Sequence, residues 1–141
     1  MSAIISGAAM LLRQKGTRSH RRIGWVYVAS MVGLNVTALG IYRLSGNFGP
    51  FHAAAIVSLA TVIAGVVVVL RRRYDSDWLR KHYLWMTYSY VGLLAAAASE
   101  ILTRLPVASF WWAVALASAL VFVAGAVMIQ RRQKAILAPF S

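Results

Sequence analysis

The sequence predicts an all-α integral membrane bundle of four transmembrane helices in up-down order, with a short N-terminal apolar helix before them. Three observations carry this fold class. Apolar residues make up 60% of the 141 and charged residues 13%, whereas soluble domains run at about 45–50% and about 25%. Four apolar runs, at residues 23–44, 52–70, 83–104 and 109–130, each come close to the roughly 20 residues that an α-helix needs to cross a bilayer core. Thirteen of the fifteen Lys and Arg lie before the first run, between the second and third, or after the fourth. A chain of this length is expected to form one membrane domain over residues 1–141.

Residues 2–12 are apolar but cover only about 16 Å as a helix, half a membrane. Basic residues follow this stretch instead of preceding it, unlike a signal peptide. The segment is expected to be a short membrane-associated helix. The four longer runs are helices because backbone groups in lipid must be satisfied internally; alternation of the kind a membrane strand needs is absent. The loops at 45–51 and 105–108 are short and carry Pro50 and Pro106, so neighbouring runs are antiparallel.

The basic segments are Arg13–Arg22, Arg71–Lys81 and Arg131–Lys134. Positive charge marks the cytoplasmic side, so both ends of the four-span unit are expected there. The net charge of +12 would suggest nucleic acid in a soluble protein. Here the basic residues flank spans, so the expected partners are membrane lipids with anionic head groups, and no nucleic acid. Trp25 and Tyr27, Trp78, Tyr83 and Trp85, and Phe110, Trp111 and Trp112 gather at run ends, as in an interfacial aromatic belt.

Helices approach closely in lipid through small residues. Ala29, Gly33 and Thr37 stand at four-residue spacing in the first run. The second has Ala60 with Ala64 and Thr61 with Gly65, the third Ser89, Gly92, Ala96 and Ser99, and the fourth Ala113 and Ala117. Such stripes serve either bundle packing or docking onto a partner. Asn35, mid-run, needs an interhelical hydrogen bond, with Thr61 and Ser118 as candidates at similar depth.

The chain has no Cys, which excludes disulfides, thiolate metal sites and cysteine nucleophiles. No phosphate loop, dinucleotide fingerprint or hydrolase motif is present. Asp75 and Asp77 moderate the repulsion in the 71–81 loop. His20 and His82 fall at cytoplasmic run ends, where two imidazoles at one depth can ligate a b-type haem or serve as polar end-caps. Glu100, the one acid inside a run, is a functional suspect by position. Arg104, four residues on, offers it a helix ion pair. A site for a proton or a small polar ligand, built from His52, Glu100, Arg104 and Asn35, is the alternative. No metal site is expected.

Lys15-Gly16-Thr17-Arg18-Ser19-His20-Arg21-Arg22-Ile23-Gly24-Trp25-Val26-Tyr27-Val28 resembles the KGT-x-x-HR-x-x-GW-x-YV pattern of a bacterial membrane-protein family, domain of unknown function 2306. Phe48-Gly49-Pro50-Phe51-His52, the run His82-Tyr83-Leu84-Trp85-Met86 with Ser89-Tyr90, then Ser99-Glu100 and Arg104-Leu105-Pro106 continue the resemblance over residues 15–106. It implies a multi-spanning inner-membrane protein and draws attention to His20, His52, His82, Glu100 and Arg104. It implies no activity. The fourth run matches only in being apolar, and members of the family begin with a longer apolar stretch.

These features favour a non-enzymatic accessory or assembly subunit of a larger membrane complex, with other membrane-protein subunits as partners and no cofactor. The alternatives are a small b-type haem-binding redox protein and a small-ligand or proton-coupled transporter or sensor.

Overall fold

The computed structural model describes residues 1–13, 15–40, 50–104 and 109–137, with side chains described as far as residue 133 and not at 50 and 51. Arg43, the loop at 45–49 and the loop at 105–108 with Pro106 lie outside the described residues, as does the side chain of Lys134. The described residues form helices α1 (Ser2–Leu12), α2 (Arg18–Gly40), α3 (Pro50–Leu70), α4 (Trp78–Leu102) and α5 (Phe110–Leu137). Three are long and apolar enough to cross a membrane: α2, α3 from His52, and α5 as far as Gln133. The apolar α1 is shorter.

α4 is the exception among the four expected spans. Its 25 residues cover about 37 Å as helix, but Tyr83, Trp85, Tyr88, Tyr90, Ser89 and Glu100 dilute its hydropathy. The same helix buries Met86, Thr87, Ser89, Tyr90, Val91, Leu93, Ala95 and Ser99. Its polar hydroxyls are bonded: Thr87 Oγ1 donates to the Tyr83 carbonyl at 2.6 Å and Ser89 Oγ to the Met86 carbonyl at 2.8 Å. Of the diluting residues, Ser89 and Tyr90 are withdrawn into the fold, whereas Trp85 and Glu100 stay exposed.

The chain divides into two compact units, Met1–Ile63 and Ala64–Ser141, with the boundary inside α3. In the first, α1 packs on α2. Ala3, Ser6, Gly7 and Met10 form its buried stripe, the i, i+3, i+4, i+7 pattern of one helix face. α2 buries a narrow stripe of Tyr27, Met31 and Asn35. Tyr27 is therefore a core residue at 0% exposure and leaves the expected aromatic belt, whereas Trp25 stays exposed. A tyrosine one turn inside the apolar run is drawn into the stripe that α2 buries.

In the second unit α4 packs on α5. Ala113, Ala117 and Ile129 of α5 are buried, and Ser99 Oγ lies 3.3 Å from Ser118 Oγ. Close approaches fall at two glycines. A Cβ on Gly65 would stand 2.6 Å from Met86 Sδ, and one on Gly125 would stand 2.6 and 2.8 Å from the two methyl carbons of Val91. Leu116, Leu120, Phe122, Val123, Val127 and Met128 of α5 remain exposed.

Candidate functional site

The most conspicuous sequence pattern, Lys15-Gly16-Thr17, builds the hinge between α1 and α2. The last carbonyls of a helix have no partner within it. Lys15 Nζ supplies one, donating to the Met10 carbonyl at 2.9 Å and the Leu11 carbonyl at 3.2 Å. Burial lowers the pKa of this ammonium. Gly16 turns the chain with φ +81°, a backbone region open to glycine and strained for other residues. Thr17 then caps α2: its Oγ1 accepts the His20 amide at 3.1 Å, the N-cap bond to the third helical residue. Arg13 Nη1 reaches over the turn to Ser19 Oγ at 3.0 Å.

His20 thus occupies the first turn of α2, in the first unit, and His82 the first turn and a half of α4, in the second. His82 Nδ1 lies 2.8 Å from the Gly65 carbonyl, and Gly65 is the residue whose missing side chain admits Met86. The imidazole therefore links α4 to α3 beside the contact of Met86 with Gly65. His52 is buried at 8% exposure in the first turn of α3.

Asn35 is buried at 1% exposure. Its Nδ2 donates to the Met31 carbonyl at 2.8 Å and to Ser58 Oγ of α3 at 3.2 Å. The expected partners are engaged elsewhere, Thr61 with the Ser58 carbonyl at 2.7 Å and Ser118 with Ser99. Depth alone selects several hydroxyls; the rotation of α3 selects Ser58, one turn before Thr61.

Glu100 and Arg104 form an ion pair within the second unit, with Arg104 Nε donating to Glu100 Oε1 at 3.2 Å and Nη2 donating to the same oxygen. Both side chains are mostly exposed, at 66% and 76%. At the other end of α4, Lys81 Nζ donates to Asp75 Oδ2 at 2.7 Å. That contact raises the pKa of Lys81 and lowers that of Asp75. Among the described residues no three His, Asp or Glu side chains gather as a metal site would need.

The small-residue stripes separate by use. Ala113 and Ala117 face inward. The third-run stripe is split, with Ser89 and Ser99 buried, Ala96 exposed and open space where a Gly92 side chain would be. Ala29, Gly33 and Thr37 are all exposed, and a Cβ on Gly33 would meet nothing within 4 Å. Gly125 was not marked by any stripe, because its neighbours at four-residue spacing are Val121 and Ile129.

Several long apolar helices, caps satisfied at the hinge and hydroxyls bonded inside the units together define a multi-helix membrane protein. The family described as a predicted membrane protein, domain of unknown function 2306, matches residues 2–131, and the chain belongs to it. The match extends beyond residues 15–106 to include α1 and the apolar length of α5. Neither the curated proteins nor the solved structures offer a match to the chain.

Proposed function

We propose that this chain is a four-span protein of the bacterial inner membrane, with both ends of its four-span unit cytoplasmic, acting as an accessory or assembly subunit of a larger membrane complex. The observation that carries the docking role is the exposed stripe of Ala29, Gly33 and Thr37 on α2. This helix makes its internal contacts with the face of Tyr27, Met31 and Asn35. A small-residue face pointing out of the fold lets another helix approach to backbone contact, the main source of helix association in lipid. Thr37 adds no polar obstacle, since its hydroxyl donates to the Gly33 carbonyl at 2.7 Å.

Charge supports α4 as the fourth span. If α4 crosses, the basic segments at 13–22, 71–81 and 131–134 share one side. If it does not, the second and third fall on opposite sides, against the usual distribution of Lys and Arg.

The docking role is tested by mild extraction of the tagged protein from its own membranes, comparing wild type with Gly33→Leu. Wild type is expected to retain a defined membrane partner. Gly33→Leu, whose new side chain enters open space, is expected to lose that partner at unchanged helicity. A free monomer in both cases would count decisively against the proposal.

A further inference from the structure

The first turns of α4 carry Arg80, Lys81 and His82, followed by the aromatic residues Tyr83, Trp85 and Tyr88. Lys81, Leu84, Trp85 and Tyr88 are spaced i, i+3, i+4, i+7 and therefore share one face. They border an open depression of about 280 Å³ on that one helix face. Trp85 is 42% exposed within it, while its Cβ lies near the Gly65 position of α3, so the backbone side of the residue is packed and the ring is presented outward. The groove is apolar along Leu84, Trp85 and Tyr88 and ends on a cation. Asp75 takes one donor of the Lys81 ammonium, which has three. Arg80 flanks the same end, where its Nη1 stands 3.7 Å from Asp77 Oδ2.

An apolar strip that ends on a cation has the polarity of a phospholipid at the depth where head groups meet acyl chains. Tryptophan and tyrosine favour that depth, and Lys and Arg near it attract anionic head groups. A free phosphate ion would make no use of the apolar wall. We infer that Lys81, Leu84, Trp85 and Tyr88 form a groove for one anionic phospholipid, its phosphodiester on Lys81 and an acyl chain along Leu84, Trp85 and Tyr88. The inference rests on the reading that α4 crosses the membrane with its basic end at the interface.

The test uses the full chain with Trp25, Trp78, Trp111 and Trp112 changed to Phe, so that Trp85 reports alone. It is placed in nanodiscs of phosphatidylcholine containing acyl-brominated phosphatidylglycerol or acyl-brominated phosphatidylcholine. Brominated phosphatidylglycerol is expected to quench Trp85 more strongly, and Lys81→Gln to lower that preference about five-fold, the effect of one interfacial cation. A companion protein keeping only Trp111 is expected to show no preference. Equal quenching of Trp85 by the two lipids, the same preference at Trp111, or a preference untouched by Lys81→Gln would overturn the site. Native mass spectrometry of the unmodified chain and of Lys81→Gln gives a second readout: retained phosphatidylglycerol on the first and its loss on the second are expected, and equal retention would contradict the site. Nanodiscs carry the same lipids on both leaflets, so a wrong assignment of the cytoplasmic side leaves this result unchanged and is detected separately by accessibility labelling.

Discussion

Lys15 performs a task that its position in a basic segment conceals. Its ammonium sits half-buried on the Met10 and Leu11 carbonyls, so it closes α1 as well as adding interfacial charge. Burial holds its pKa below the ordinary 10.5. Between the lowered value and 10.5 the unfolded chain binds more protons than the folded one, and stability then rises with pH. Docking of α1 on α2 is therefore expected to tighten as pH rises through that alkaline window, and Lys15→Met to remove the dependence. The chain has no Cys, so a spin-label pair on single cysteines in α1 and α2 measures the distance directly; a flat pH profile in the wild type would refute it. Other single residues were legible to different degrees. Asn35 announces a hydrogen bond because an amide deep in an apolar run needs one, and Glu100 announces Arg104 by spacing. Ser58 as the partner of Asn35 was not legible, because which of several hydroxyls meets it depends on helix rotation.

Among elements, α4 departs most from composition and α2 from the simplest reading of small residues. Helix boundaries were mostly readable, since in lipid a long apolar run has few alternatives to a helix. α4 was readable as an apolar run of span length, but its aromatic and hydroxyl content leaves it outside the helices apolar enough to cross a membrane, and packing explains where Ser89 and Tyr90 go. The glycines separate by environment in a way no sequence shows. Val91 is β-branched and stiff, so Gly125→Ala must displace it; overpacking of about 1–3 kcal/mol is expected to exceed the helix-propensity gain of about 1 kcal/mol. Gly33→Ala enters open space and keeps that gain. Thermal unfolding in detergent is expected to place Gly125→Ala below wild type and Gly33→Ala level with or above it, and the reverse order would contradict the α4–α5 contact.

For the whole molecule, the decisive feature is the sorting of charge by apolar runs. With α2, α3 and α5 crossing, thirteen cations in three segments share one side of a membrane only if α4 crosses it as well. The proposed four-span arrangement would give the Lys81 groove its interface and leave the exposed face of α2 available within the bilayer. Whether α4 crosses is decided by two single-cysteine variants, Ser76→Cys before α4 and Ser109→Cys before α5, in right-side-out membrane vesicles treated with a membrane-impermeant maleimide. A four-span protein is labelled at 109 and protected at 76 until the membrane is permeabilised. Labelling or protection of both positions alike would place the two ends of α4 on one side and contradict a four-span protein.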